Sequence, residues 1–130
     1  MRLILALLCL AGIYDAAYMF AKQRRIERGE LQEDSVVSTP RAKVAGVSNG
    51  LIGLVYYCAL LIAHPLLGNP IVYDAALTAA VLAGAFSVYL GYSLLFVTRR
   101  RCAYCWAGHV INWSLLALLL IGRHGLTASQ

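Results

Sequence analysis

The segment RRRCAYCWAGH, residues 99–109, places two cysteines at C-x-x-C spacing between a run of arginines and an apolar stretch. This spacing allows Cys102 and Cys105 to close a small disulfide on the first turn of a helix. A helix N-terminus and adjacent arginine charges both favour thiolate over thiol. The residues from Trp106 to Ile121 are predicted to form a membrane helix that ends at Gly122 and Arg123. The pattern therefore favours thiol–disulfide exchange at the membrane surface, with an apolar electron carrier in the bilayer as the second partner.

Three other roles of the cysteine pair compete with this one. A zinc site could use Cys102, Cys105 and His109, but structural zinc normally takes four ligands, and no second Cys/His pair stands out. A c-type haem site needs a histidine directly after the second cysteine, where this chain has Trp106. No metal site is therefore predicted. Two unreactive cysteines lining a helix stay possible from the motif alone, because cysteine is a common buried apolar residue.

The composition is that of an integral membrane protein. Of the 130 residues, 61% are hydrophobic and 13% are charged, whereas soluble domains are about half apolar and about a quarter charged. The length allows one domain, residues 1–130. The net charge of +5 could suggest nucleic acid, but the lysines and arginines flank apolar segments. Topology and anionic lipid head groups explain them more simply, so lipid and not nucleic acid is the predicted partner.

Four apolar segments are predicted to span the membrane and pack as an all-α four-helix bundle. They are Leu3 to Phe20, Asn49 to His64, Ile71 to Val97, and Trp106 to Ile121. The first is predicted to be an uncleaved helix; a signal peptide is the alternative. Cys9 and Cys58 fall inside apolar segments, where packing is their predicted role. Gly50 and Gly53 form a small-residue face that suits close helix packing.

The polar parts of the chain give further expectations. Asp15 lies in the last third of the first span and is expected to reach the interface; the alternative is a functional carboxylate within the membrane. Residues 21–34 are expected to continue the first helix beyond the bilayer. After Pro40, a short amphipathic helix over Arg41 to Val47 is predicted to lie flat on the membrane. Gly125 to Gln130 is expected to be a tail.

Two motifs, in order across these spans, make the chain resemble the vitamin K epoxide reductase family. The first is the stretch VVSTPRAKVAGVSNGLIG, residues 36–53, which is similar to the end of the family's long first loop and the start of its second span. The second is the start of the fourth span, where Cys102, Cys105, His109 and Asn112 fill the family positions. The resemblance covers nearly the whole chain.

The resemblance implies a four-helix thiol:quinone oxidoreductase that uses a membrane quinone of the menaquinone or ubiquinone type. Cys105 is then expected to face the quinone and Cys102 to exchange with an incoming thiol, typically from a thioredoxin-like protein. Asn49 and His109 are expected to hydrogen-bond the quinone oxygens, which favours the charge that develops on them during reduction. Thr39 occupies a polar family position near the cysteine pair. The helix predicted after Ser38 would cover the site.

The chain departs from the family pattern in its first loop. Family members usually carry a second cysteine pair there, which passes electrons between the partner and the C-x-x-C pair. This chain has no cysteine between Cys9 and Cys58, and Glu33 stands where the second loop cysteine is expected. Either the partner reaches Cys102 directly, or another donor exists, or the activity has changed. A non-catalytic membrane component that assembles or stabilises a partner is therefore the alternative function.

The distribution of positive charge predicts the orientation of this multi-pass protein. With four spans, the loops of residues 21–49 and 98–101 lie on one side of the membrane and both termini on the other. Nine of the eleven lysines and arginines fall in these two loops: Lys22, Arg24, Arg25, Arg28, Arg41, Lys43, Arg99, Arg100 and Arg101. Positive residues in short loops stay in the cytoplasm. Bacterial relatives of the family usually direct their cysteine pair to the periplasm, where disulfides persist. On charge, we predict that the pair of this chain faces the cytoplasm.

A membrane-impermeant thiol reagent applied to intact cells tests this orientation. We expect reduced Cys102 to stay unlabelled until the cells are permeabilised, because the reagent cannot reach a cytoplasmic loop. Rapid labelling of Cys102 from outside would reverse the predicted topology.

Overall fold

The computed structural model describes residues 1–32 and 36–127, with side chains described as far as Arg123. Its four helices are α1 (Arg2–Glu27), α2 (Asn49–Ala63), α3 (Pro70–Tyr92) and α4 (Ala103–Thr127). A 3-10 turn extends α2 to Leu66, and a π-helical turn, Ser93–Thr98, extends α3. With these extensions, all four helices are long and apolar enough to cross a membrane. The predicted all-α, four-helix membrane architecture is confirmed, and the chain is an integral membrane protein.

The helices pack as a bundle in which α1 lies against α2 and α4, and α3 lies against α4. The core is apolar and comes from all four helices: Leu5, Cys9, Ala16, Tyr57, Leu60, Tyr73, Ala76, Leu77, Ala80, Leu115 and Leu119. Cys9 is fully buried, as its predicted packing role requires, whereas Cys58 is half-buried. Because lipid tails are as apolar as leucine, close contact between helices, and not exclusion of water, holds such a core together.

The predicted helix over residues 41–47 is wrong. Pro40–Ala42 forms a single 3-10 turn, and a small antiparallel hairpin follows, with β1 (Lys43–Val44) paired to β2 (Val47–Ser48). The two residues between the strands, Ala45 and Gly46, have φ values of 50° and 83°. Two consecutive left-handed residues make a tight hairpin turn, and glycine favours this conformation. A seven-residue helix is also marginal by itself, so the turn decides the local structure.

Polar contacts fasten this hairpin to the end of α1. Ser48 is buried and its hydroxyl donates to Gln23 Oε1, whose amide nitrogen donates to Glu27 Oε1 at 3.2 Å. The same Glu27 oxygen lies 2.7 Å from Lys43 Nζ. The loop is therefore held over the end of the bundle by a chain of side-chain contacts instead of by an amphipathic helix.

Two helix ends differ from prediction. α1 ends at Glu27 and not near Asp34, because Gly29 has a φ of 73° and its N–H, with that of Glu30, bonds back to carbonyls of the last turn. Glu33 and Asp34 lie outside the described residues. α4 runs through the predicted stop at Gly122 to Thr127, since Gly122 is a packing residue there: a Cβ on it would lie 2.6 Å from the Tyr73 hydroxyl. Of the predicted tail, residues 128–130 are outside the described part.

Candidate functional site

The cysteine pair stands at the start of α4. Cys102 is the residue before the helix and Cys105 lies on its first turn, with their Cα atoms 5.2 Å apart and their sulfur atoms joined as a disulfide. The backbone N–H of Cys105 points at Cys102 Sγ, at an N···S distance of 3.2 Å. When the bond is reduced, the same free N–H groups of the helix end would stabilise a thiolate at Cys102.

A cavity of about 210 Å³ lies next to Cys105 and is lined by residues of all four helices and of the first loop. A cavity of about 150 Å³ is known to accommodate benzene, so this one has room for a substituted ring. Much of its wall is apolar, including Met19, Ile52, Phe86, Leu90 and Leu94.

The structure brings four of the five predicted site residues to this cavity. Thr39, Asn49, Cys105 and His109 all line it. Cys102 does not belong to the lining, and it is joined to the cavity only through its bond to Cys105. The two sulfur atoms of the pair thus have different surroundings, one at the cavity and one towards the basic loop.

Three polar atoms of the cavity residues are buried without a hydrogen-bond partner among the described residues. They are Asn49 Oδ1, Tyr56 OH and Asp15 Oδ1. Leaving a buried polar group unpaired costs about 1–3 kcal/mol. Three such groups around one apolar cavity indicate a ligand that carries hydrogen-bonding atoms on an otherwise apolar body.

Asn49 is held in place by the loop that covers the cavity. Its amide nitrogen donates to the carbonyl oxygen of Arg41 at 2.9 Å, and the Arg41 guanidinium donates to Ser93 Oγ at 2.8 Å. Ser93 opens the π-helical turn at the end of α3, and turns of this kind are frequent at functional sites. The Asn49 amide nitrogen is therefore engaged with the loop. The unpaired atom of Asn49 is its carbonyl oxygen, Oδ1, which can only accept a hydrogen bond.

Thr39 contributes to the order of the loop. Its hydroxyl donates to the carbonyl oxygen of Val36 at 2.7 Å, which closes the first 3-10 turn, Val36–Ser38. The hydroxyl proton is therefore used locally, and only the oxygen lone pairs stay available on the cavity side.

A hydrogen-bond network within the membrane fixes the position of α4. The Tyr57 hydroxyl of α2 donates to Asn112 Oδ1 at 2.7 Å, and Asn112 Nδ2 donates to Ser87 Oγ of α3 at 2.7 Å. The network joins three helices at the depth of the cavity. The resemblance had singled out Asn112, but neither Tyr57 nor Ser87 was predicted. The sequence signal that could have indicated Tyr57 and Ser87 is that each is a polar residue within an apolar span. Such a residue needs a hydrogen-bond partner inside the membrane.

His109 lies on α4 one helical turn after Cys105. Its side chain is buried, with 7% of its surface exposed, and its ring contacts those of Trp106 and Trp113 at centroid distances of 5.9 and 6.2 Å. Two tryptophans thus fix the imidazole in the wall of the cavity on the same side of the helix as Cys105.

Asp15 does not reach the interface, and that expectation is wrong. Only 8% of its surface is exposed, and it lines the cavity beside Gly108. A Cβ on Gly108 would lie 2.9 Å from Asp15 Oδ2, so the glycine at this position of α4 leaves room for the Asp15 carboxylate. The position of Asp15 along the span does not show which face of α1 it occupies, and this is the face packed against α2 and α4.

A family model described as the vitamin K epoxide reductase family matches residues 3–120. No curated protein matches the chain.

Proposed function

The chain belongs to the vitamin K epoxide reductase family, and we propose that it passes electrons from a protein thiol through Cys102 and Cys105 to a membrane quinone. The family consists of membrane oxidoreductases that act with quinones. The electron path, the quinone and the thiol partner of this chain are our proposal, as are the residues that form the site.

The observation that carries the proposal is the cavity beside Cys105. It lies inside the bundle and is lined by apolar side chains, with three unpaired polar atoms in its wall residues. A quinone head group is an apolar ring whose two oxygens accept hydrogen bonds and, in the reduced form, also donate them. It therefore fits the space, a donor such as Tyr56 OH, and the acceptor Asn49 Oδ1. When bound, a quinone supplies an acceptor for two electrons and two protons.

The two cysteines are given different tasks by their positions. Cys105, which lines the cavity, is the sulfur that faces the quinone. Cys102, which lies outside the lining, is the sulfur that an incoming thiol would attack. Because the first loop has no cysteine that could pass electrons to the pair, we propose that a thioredoxin-like partner reacts with Cys102 directly. The adjacent Arg99, Arg100 and Arg101 favour a partner with an acidic rim.

Asn49, His109 and Thr39 are proposed to bind the quinone. The carbonyl oxygen of Asn49 is unpaired, so it would accept a hydrogen bond from a hydroxyl of the reduced form and thereby favour reduction. The buried imidazole of His109 would face the oxygen nearest Cys105. Thr39 would offer only its oxygen, since its proton is bonded to Val36.

The side of the membrane is also a proposal. The hairpin, the end of α1 and the basic segment before Cys102 lie at one end of the bundle with most of the positive charge. In a cell membrane this end would face the cytoplasm. The thiol partner would then be a cytosolic protein.

The proposed function predicts that quinone re-forms the disulfide of the reduced protein. Purified protein is reduced, freed of reductant and mixed with a menaquinone or ubiquinone analogue in detergent. Free thiols are then counted by alkylation, and quinol is measured by absorbance. We expect two thiols to be lost for each quinol formed, because the formation of one disulfide from two thiols releases one electron pair. The same mixture with the quinol in place of quinone is the control and should keep its thiols free.

Thiol loss without quinol formation, or no reaction with either type of quinone, would contradict the proposal.

A further inference from the structure

Asp15 is a carboxyl group in the wall of the proposed quinone cavity, and the proposed electron transfer gives it no role. It is more than nine-tenths buried, and its Oδ1 has no hydrogen-bond partner among the described residues. It lines the same cavity as Cys105 and His109. Its second oxygen lies against Gly108, which follows Cys105 by one helical turn. The carboxyl group is therefore built into the site and not into the lipid face of α1.

The surroundings of Asp15 favour its neutral form. A carboxylate charge buried within a membrane is costly, because apolar surroundings solvate it poorly. Arg41 also lines the cavity, but its guanidinium donates to Ser93 Oγ. A neutral carboxyl group carries one proton that it can donate and, once it has donated it, an oxygen that can accept another.

We propose that Asp15 exchanges protons with the quinone bound in this cavity, an inference that rests on the proposed function. Reduction of a quinone adds two electrons and two protons, and oxidation of the Cys102–Cys105 dithiol to a disulfide releases the same number of each. As the electron pair leaves the sulfur atoms, the Asp15 O–H bond breaks and an O–H bond forms on a quinone oxygen. The Asp15 carboxylate then accepts the proton of one cysteine thiol. The proton of the other thiol passes to water at the membrane surface, and the second quinone oxygen takes its proton from water. Asp15 ends as it began, so the reaction remains balanced.

The alternative is that Asp15 only accepts or donates a static hydrogen bond. Asparagine at this position would preserve the size and hydrogen-bonding groups of the side chain but could not exchange a proton. Glutamate would preserve the proton exchange. The two substitutions therefore separate the two roles.

Infrared spectroscopy tests the protonation state without any turnover. The chain has three aspartates, so in the double variant Asp34→Asn/Asp74→Asn, Asp15 is the only one left. The protein is made with natural and with side-chain ¹³C-labelled aspartate, and the carbonyl band of a protonated carboxyl group is sought near neutral pH. We expect a band that shifts with the label. Absence of a shifting band would overturn the proposal, even if the variants of Asp15 itself did not fold.

Kinetics test the exchange itself. We expect Asp15→Asn to slow re-formation of the disulfide by quinone by about 10²-fold, the usual effect of losing a positioned acid or base. Asp15→Glu should recover part of the rate. Asp74→Asn is the matched control, since it makes the same change at an exposed carboxylate that pairs with Arg123. A soluble chemical oxidant should re-form the disulfide equally fast in all of them, which checks that the cysteine pair is intact.

The outcomes separate the two proposals. If Asp15→Asn reacts with quinone at the rate of the unchanged protein, the role of Asp15 is wrong and the quinone function stands. If the unchanged protein reacts with the chemical oxidant but not with quinone, the proposed function fails and the role of Asp15 fails with it. If Asp15→Asn does not fold, Asp15→Ser takes its place, because its smaller side chain leaves the cavity open.

Discussion

Cys102→Ser and Cys105→Ser should each reduce thiol-dependent quinol formation to the uncatalysed background. The two electrons that a quinone accepts are released when two thiols join as a disulfide, so one remaining thiol cannot complete the reaction. Quinol formation is measured with a small dithiol as the reductant. Cys58→Ser is the matched control, because Cys58 is half-buried on α2 and does not line the cavity. Its rate should equal that of the unchanged protein.

The structure further predicts that the two serine variants differ in their remaining thiol. In Cys102→Ser the remaining Cys105 lines the cavity, so a bound quinone analogue should protect it from alkylation. In Cys105→Ser the remaining Cys102 lies outside the lining and should react equally fast with and without the analogue. Equal protection of both thiols would contradict the assignment of one sulfur to each partner. Full quinol formation by the double serine variant would contradict the role of the cysteine pair. Full function of the partner protein in that variant would favour the non-catalytic membrane component.

The number and extent of the spans could be predicted because they depend on local composition. Charged and proline-containing segments separate four apolar runs, and any polar backbone in lipid must be satisfied by a helix. The helix ends were less predictable. Gly29 and Gly122 each stand beside an arginine after an apolar run, so the sequence does not distinguish them. Gly29 ends α1 through its positive φ, whereas Gly122 lies within α4 and packs against Tyr73. Only the packing of another helix distinguishes these two uses of glycine.

The candidate site was predictable where residues lie close in the sequence. Cys105 and His109 are separated by one helical turn, so an α-helix alone places them on one face. The contributions of α1 and the loop depend on contacts between distant segments. Asp15 lines the cavity because α1 turns that face to α2 and α4, and Arg41 reaches Ser93 from the 3-10 turn Pro40–Ala42, which stands where the helix was predicted to begin. Neither arrangement follows from a pattern within one segment.

The site also depends on how closely α1 and α2 approach, and Gly50 permits that approach. A Cβ on Gly50 would lie 2.9 Å from the backbone nitrogen of Phe20 and 3.2 Å from the carbonyl oxygen of Ala16. Both contacts are with the backbone of α1, so no side chain can rotate to make room. Asn49 precedes Gly50 and Asp15 precedes Ala16, so any separation of the two helices would move Asn49 and Asp15 apart.

Gly50→Ala should therefore destabilise the protein by about 1–3 kcal/mol, the usual effect of forcing an extra methyl group into a packed site. Gly53→Ala is the matched control on the same helix: its Cβ would meet the Ala16 Cβ at 3.5 Å, an ordinary contact. Since alanine is about 1 kcal/mol better than glycine within a helix, this control should be neutral or stabilising. Thermal unfolding in detergent, followed by circular dichroism, measures both variants. Equal unfolding temperatures would mean that α1 and α2 do not touch at Gly50, and the cavity between them would then have to be wider than the structure gives.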